Sequence, residues 1–336
     1  MKTAGGIFFT INFVSLGVVL FYSKKLITDE ALSFKKNLKL YGLPILLSLR
    51  FILGVLDSGQ VTLVMMALVL LSLFHIEKGR PIVGGALLAL AMMFKYMPFI
   101  FIPYFVLKKK SKVVLFTILF SFFYCILPAV YTGVEKQKDT LTHWIPSIIQ
   151  TSLDRGSWTD YKNQSFYSFV IRGVQKNSPY ENVAHGMSLS TFNQALILSI
   201  LLSAAIYLLM VFPRINLPHN HAIEYALLFI GLALFNPNAW TFNYVSMIFA
   251  FMVLVYYFMK KGLMNHKLSF TLMILVFLLT SGGSSSLVGK QNQYVSEVIS
   301  TVTMGAIIMV FVLCGLKCSK IKGEDTVLSP KTSKRA

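Results

Sequence analysis

The sequence predicts an all-α integral membrane protein, a polytopic helical bundle of about 11 spans with short broken helices and one large external loop. Composition is the first observation behind this prediction: of 336 residues, 55% are hydrophobic and only 13% are charged, whereas roughly a quarter are charged in a soluble domain. The second is that the apolar residues form runs of membrane length, separated by short basic segments.

Eleven apolar runs follow one another along the chain. The first, Gly6–Tyr22, has membrane length and no signal-peptide cleavage pattern, so it is predicted to remain as a helix. The other runs are Leu40–Leu56, Val61–Ile76, Ile82–Phe94, Pro98–Leu107, Val113–Tyr131, Thr191–Phe212, Ala222–Phe235, Trp240–Met259, Leu268–Gly282 and Ile299–Leu316. Together they predict a transmembrane domain over residues 1–316, followed by a basic cytoplasmic tail at 317–336.

The basic residues predict the orientation. If segment 23–39 is cytoplasmic, that side collects 21 Lys and Arg and the outside collects 8, six of them in one long loop. The positive-inside rule then places the N-terminus outside and the C-terminus in the cytoplasm, as in a bacterial inner membrane protein. The net charge of +18 does not indicate a nucleic-acid partner, because the basic residues are scattered through short loops. The three cysteines show neither disulfide nor zinc spacing.

Two of the runs are too short to cross a bilayer. Ile82–Phe94 and Pro98–Leu107 have 13 and 10 residues, which give roughly 20 and 15 Å of helix against a hydrocarbon core of roughly 30 Å. Basic turns on both sides predict a down-and-up pair with Lys95 at its tip, bordering a cavity. The alternative is one long tilted helix kinked at Pro98, which gives ten crossings and reverses the later orientation.

The external loop, residues 132–190, is predicted to carry short interfacial helices. Its apolar residues recur with helical spacing in two stretches, Trp144 to Ile149 and Phe166 to Val170. Between these stretches, residues 154–166 are rich in aromatic rings and in groups that can hydrogen-bond sugar hydroxyls.

Several short motifs occur in a particular order. The first, in the N-terminal half, is Gly59-Gln60, a helix with Gly84-Gly85, and Lys95 followed by Pro98; the second is Asn163-Gln164-Ser165 followed by Arg172; the third is the turn from Pro237 to Trp240. From Asp57 to Tyr244 this order resembles glycosyltransferase family 87. The resemblance implies a GT-C-like fold and transfer of a hexose, with mannose favoured. The implied donor is a polyprenyl-phosphate sugar, and the acceptor is a lipid or glycan on the external face of the membrane.

The resemblance also assigns roles to residues. It implies that Lys95 and Arg172 contact the donor phosphate. Gln60 and Arg50 are assigned to the same donor and lipid site, although Arg50 could instead pair with Asp57 on one helix face. Asn163, Gln164, Ser165 and Trp240 form the implied substrate loop; for the first three, a simple polar turn or a glycosylation sequon is the alternative. No cofactor is predicted: a divalent metal could bridge the phosphate, but no ligand cluster supports one.

The expected catalytic aspartate has no counterpart here. The family carries it in the first external loop, whereas the first apolar run of this chain leads directly into a basic segment. The resemblance therefore implies that N-terminal helices are lacking, that the aspartate lies N-terminal to this chain, and that an N-terminal partner fragment could complete the fold. The chain alone is then expected to be a truncated and inactive form, with Asp154 and Asp160 as weak substitutes for the base.

Two other classes of function stay open at this point. Broken helices with an intramembrane Lys are also typical of a secondary transporter. A flippase-type protein could bind polyprenyl lipid without transferring sugar.

Overall fold

A computed structural model describes residues 2–174, 188–211, 221–262 and 266–318, and these ranges contain helices and no strands. Four helices are long and apolar enough to cross a membrane, or six if each of two bent pairs counts as one span. The predicted all-α membrane fold is thus confirmed, and the count of about 11 spans stays a prediction. The tail beyond Cys318 and residues 175–187 of the external loop lie outside the described ranges.

Helices coincide with each predicted apolar run. The first ten are α1 (Lys2–Ile27), α2 (Phe34–Leu47), α3 (Leu49–Asp57), α4 (Thr62–Glu77), α5 (Pro81–Phe94), α6 (Phe101–Leu107), α7 (Ser111–Ile126), α8 (Ala129–Thr132), α9 (Val134–Leu153) and α10 (Arg155–Thr159). The others are α11 (Phe166–Val174), α12 (Leu189–Val211), α13 (His221–Leu234), α14 (Met247–Lys261), α15 (Lys267–Ser281), α16 (Ser285–Val298) and α17 (Thr301–Cys318). Short 3-10 helices at Met97–Ile100 and Thr241–Ser246 precede α6 and α14.

The chain divides into two compact units. The first comprises Met1–Tyr22 and Leu56–Thr159; the second comprises Ser23–Val55 and the described residues from Asp160 onward. In the second unit, α13 is buried along its whole length and α14 along nearly all of it. These two helices form the core of that unit.

The run Leu40–Leu56 is broken rather than continuous. Helices α2 and α3 meet at Ser48 with a bend of 61°. Pro44 lies inside α2, where its ring lacks an N–H and crowds the preceding turn. The Ser48 N–H donates to the carbonyls of Pro44 (3.0 Å) and Ile45 (3.2 Å), which ends the helix.

A second bend occurs where the sequence predicted only a loop. After α15 the chain turns by 81° into α16, a polar helix that is itself kinked at Gly289, where φ is +79°. Hydrophobic run length could not reveal α16, because its sequence is largely polar. Ser300, just beyond it, has φ of +61° and is buried.

The two short runs form a hairpin. Lys95 has extended backbone at the end of α5, and its Nζ donates to Thr62 Oγ1 at the start of α4 (2.8 Å). Lys110 Nζ, after α6, lies 3.0 Å from Glu77 Oε1 at the other end of α4. Helix α5 therefore runs toward the Thr62 end and α6 returns, as the down-and-up prediction requires. One long helix kinked at Pro98 is excluded.

Small residues allow α5 to pack closely against its neighbours. A Cβ on Gly85 would lie 2.7 Å from Phe116 Cβ and 2.9 Å from the Thr117 backbone nitrogen. Ser72 Oγ also donates to the Gly84 carbonyl (2.7 Å). Close backbone approach and interhelical hydrogen bonds of this kind are how membrane helices associate.

Replacing Gly85 with Ala should lower the thermal unfolding midpoint of the purified protein, because the added methyl group meets backbone atoms of α7. Overpacking of this kind costs roughly 1–3 kcal/mol. Gly17→Ala is the matched control, since nothing lies within 4 Å of its added Cβ. Equal midpoints for the two variants would contradict this packing.

Candidate functional site

The segment Asp160–Ser165 is fixed to the turn that precedes α14. Asn163 Nδ2 donates to the Pro237 carbonyl (2.8 Å), and Asn163 Oδ1 accepts from the N–H groups of Ala239 (3.1 Å) and Ser165 (3.0 Å). The Gln164 N–H donates to the Ala239 carbonyl (2.6 Å). The Asn163 side-chain amide thus supplies hydrogen-bond partners to backbone groups that lie outside regular secondary structure.

Gln164 joins the same segment to the last two helices. Its Nε2 donates to the carbonyls of Tyr161 (2.9 Å) and Glu297 (2.8 Å). Its own backbone carbonyl accepts from Tyr244 OH (2.5 Å) and Thr303 Oγ1 (2.6 Å). The side chain is fully buried, so a neutral amide suits the position and a charge would not.

Ser165 begins the helix that carries Arg172. Its Oγ accepts from the Ser168 N–H (3.1 Å), which is an N-cap bond at the start of α11. The cap fixes where α11 begins, and Arg172 then lies two turns along it.

The Arg172 guanidinium makes three hydrogen bonds within the second unit. Nη1 donates to the Asp160 carbonyl (2.8 Å), and Nη2 donates to the Asn163 carbonyl (2.8 Å) and to Ser300 Oγ (2.5 Å). Burial lowers the pKa of Arg172 to about 10, and the charge of Asp160 opposes that shift. The group therefore stays protonated at neutral pH. Among the described residues, no carboxylate forms an ion pair with it and nothing accepts from its buried Nε–H.

We call the set Asn163, Gln164, Ser165 and Arg172 with these partners the polar network. The predicted substrate-loop and phosphate residues of the second unit thus come together, and Trp240 follows Ala239 directly with 40% of its surface exposed. Asn163, Gln164 and Ser165 are almost fully buried. Their role as substrate contacts stays a prediction, since their hydrogen bonds go to the protein itself.

Arg50 also lies in the second unit, where Nη1 donates to the Thr280 carbonyl near the end of α15 (2.7 Å). It is attracted by the charge of Glu297. Glu297 is buried, and its Oε1 accepts from Gln293 Nε2 (2.8 Å). No motif in the sequence signals the burial of Glu297.

Lys95 and Gln60 lie together in the first unit. Lys95 bonds to Thr62, and Gln60 is two residues earlier, after Gly59 with φ of +62°. Both are half-buried at the N-terminal end of α4. The order of the first motif is thus explained by the hairpin, which returns Lys95 to the Gly59-Gln60 turn.

The two substitute acids make local bonds. Asp154 Oδ2 accepts from the Ser157 N–H (2.8 Å), which lowers the pKa of that carboxyl. Asp160 Oδ1 accepts from the Lys162 N–H (2.9 Å). Within the described ranges, no three His, Cys, Asp or Glu side chains are grouped in a way that could hold a metal ion.

A family model decides which class of protein these features belong to: the model for glycosyltransferase family 87 matches residues 1–237. The chain belongs to glycosyltransferase family 87. The matched region includes Lys95, Gln164 and Arg172, and it ends three residues before Trp240. Neither the curated proteins nor the solved structures yielded a match. Family 87 membership makes this chain a membrane glycosyltransferase, with a sugar donor and an acceptor as its substrates.

Replacing Gln164 with Glu should destabilise this glycosyltransferase, because a carboxylate oxygen would then face the carbonyls of Tyr161 and Glu297. A buried polar group that loses its partners costs roughly 1–3 kcal/mol, and more if charged. The thermal unfolding midpoint measures the effect. Gln150→Glu is the control, because Gln150 is exposed on α9. Equal unfolding midpoints for the two variants would show that the Gln164 side chain does not hold the segments of Tyr161 and Glu297 together.

Proposed function

We propose that this family 87 member transfers a hexose, with mannose favoured, from a polyprenyl-phosphate donor to a lipid or glycan acceptor on the external face of the bacterial inner membrane. The observation that carries the proposal is the buried, protonated Arg172, which has backbone and hydroxyl partners in place of a carboxylate. The charge of Asp160 acts on Arg172, but no carboxylate of the described residues pairs with the guanidinium directly, and a buried cation without a direct ion pair is costly. An anionic ligand would offset that cost.

A polyprenyl-phosphate donor supplies such an anion. When the sugar leaves, negative charge grows on the phosphate oxygens, and preorganised cations stabilise that charge in the transition state. The buried Nε–H of Arg172 has no acceptor among the described residues. Lys95 is a half-buried cation of the first unit, placed by the α5–α6 hairpin beside the Gly59-Gln60 turn.

Contacts in the second unit support the proposal that transfer takes place on the external side of the membrane. Segments predicted to be external meet one another, as Asn163 meets Pro237 and Gln164 meets Glu297. Segments predicted to be cytoplasmic are paired by salt bridges, which are Lys317–Glu224 (3.1 Å) and Lys260–Glu30 (2.5 Å).

In the first unit too, the predicted external ends and the predicted cytoplasmic ends make separate contacts. Lys95 bonds at the predicted external end of α4, and Lys110 pairs with Glu77 at the predicted cytoplasmic end. The predicted topology places Arg172, Trp240 and Lys95 on the external side, where a lipid-phosphate sugar is the available donor. Asp154 and Asp160 stay the candidates for the base that accepts the proton of the acceptor hydroxyl.

Lys95→Ala should lower sugar transfer by roughly 100-fold or more, because the charge that it places near the leaving phosphate is lost. Membranes that contain the full-length enzyme are supplied with radiolabelled polyprenyl-phosphate mannose, and the labelled product is quantified against protein level. Lys112→Ala, an exposed position on α7, is the matched control. Activity equal to that of the control would remove Lys95 from the site. Retained binding of polyprenyl phosphate with no transfer by the unmodified enzyme would instead favour a lipid-binding protein.

A further inference from the structure

Five side chains beside the polar network form a connected surface that the motifs did not single out as a unit. Lys162 Nζ lies over the rings of Tyr161 (5.6 Å to the centroid) and Trp240 (6.0 Å). Tyr161 meets Tyr294 edge to face at 4.7 Å, and Trp240 lies nearly parallel to Phe242 at 6.3 Å. We call Tyr161, Lys162, Trp240, Phe242 and Tyr294 the aromatic platform.

The platform combines residues from three distant segments, and each of those segments is held by the polar network. Gln164 Nε2 binds the carbonyl of Tyr161 and the carbonyl of Glu297, three residues after Tyr294. Asn163 fixes Ala239, the residue before Trp240. The buried amides therefore set the spacing of the rings, and the polar network positions the platform.

The platform is open to the surroundings. Trp240 is 40% exposed, Lys162 is exposed, and Tyr161, Tyr294 and Phe242 are half-buried. Trp240 immediately precedes Thr241, where a candidate membrane span begins. The surface thus lies at one end of a candidate span.

We propose that the aromatic platform binds a pyranose ring of the glycan acceptor. The C–H face of a sugar ring stacks on aromatic faces, which present a negative quadrupole. A Lys ammonium supplies three hydrogen-bond donors for ring hydroxyls. Rigid aromatic rings and one flexible donor, held on a preorganised backbone, match a neutral polyhydroxylated ligand. The inference rests on the proposed function for the identity of the ligand, and its test measures binding without transfer.

The other occupant that the chemistry allows is the lipid headgroup layer, because Trp, Tyr and Lys also anchor spans at the membrane interface. Two observations favour the sugar. Tyr161 and Lys162 lie outside every candidate span, although Tyr294 lies in the second, polar helix of a bent candidate pair. Lys162 is also drawn over two rings at once, whereas an interfacial Lys extends toward phosphate groups.

The test uses the full chain in phosphatidylcholine nanodiscs, so that no sugar-based detergent competes. Methyl α-mannoside, methyl α-glucoside and methyl α-galactoside are titrated, and binding is followed by saturation-transfer difference NMR. We expect saturable binding of at least one glycoside by the unmodified protein. Trp240→Ala and Tyr294→Ala should each weaken it by about tenfold.

Three controls make the outcome decisive. Trp144→Ala removes an exposed Trp from α9 in the first unit and should leave binding unchanged. Trp240→Phe keeps a ring face and should retain most of the affinity, which separates stacking from loss of folding. Equal binding by Trp240→Ala and the unmodified protein would overturn the proposal and leave the headgroup role. Absence of saturable binding by any glycoside would also overturn it. Neither result affects the transfer assay with Lys95, so failure of this inference is distinct from failure of the proposed function.

Discussion

The rest of the second unit depends on the hydrogen bonds of one buried residue, Gln164. Gln164 is fully buried, and it lies where the external loop, the turn before α14 and the start of α17 converge. Its Nε2 donates to two carbonyls and its backbone carbonyl accepts from two hydroxyls, while its Oε1 is buried without a partner among the described residues. Breaking these bonds would leave further buried groups unpaired, which costs more than a bond is worth, so they hold the three segments together. Ser165 then fixes the start of α11, and Arg172 takes its place as a consequence.

The membrane imposes the second constraint. Irregular backbone is tolerated at membrane depth only where protein or a wet cavity surrounds it. This glycosyltransferase breaks its helices at Ser48, at Lys95 and between α15 and α16. Two of these breaks have a basic residue close by, since Arg50 and Lys95 each bind an oxygen of a neighbouring helix. In each unit, such a break places a polar side chain against a neighbouring helix.

Run length and composition were enough to predict most of the helices. The hairpin at Lys95 was also predictable, because two apolar runs were too short and were flanked by basic turns. The bend at Ser48 and the polar helix α16 were not predicted. Pro44 was visible in the sequence, but a proline alone does not tell whether a helix kinks or ends. Helix α16 has no apolar stripe of span length, so its place is set by tertiary contacts.

The sequence motifs identified the residues of the polar network but did not indicate whether their side chains face the protein interior or a ligand. The resemblance to the family assigned Asn163, Gln164 and Ser165 to a substrate loop, and the structure shows that they are buried. Their burial arises from pairing with Pro237, Ala239 and Glu297, more than 70 positions away in the chain, and no local pattern encodes such distant partners. The same limit hid the grouping of Tyr161 with Tyr294. The motif order therefore selected residues that lie together, and the fold shows that their hydrogen bonds go to the protein itself.

The most direct test of whether the polar network holds these segments is amide hydrogen exchange across residues 161–166 and 238–243 in the full chain. The Gln164 N–H bonds to a carbonyl and the Ala239 N–H bonds to the Asn163 side chain, so both should exchange only through opening of the second unit. Exchange at these two amides should be slower by roughly 100-fold or more than in an exposed, non-helical stretch such as residues 31–33, after correction for intrinsic rates. Exchange at the rate of that exposed stretch would show that the external loop is not held by the network. The polar network would then not be what positions both Arg172 and the aromatic platform.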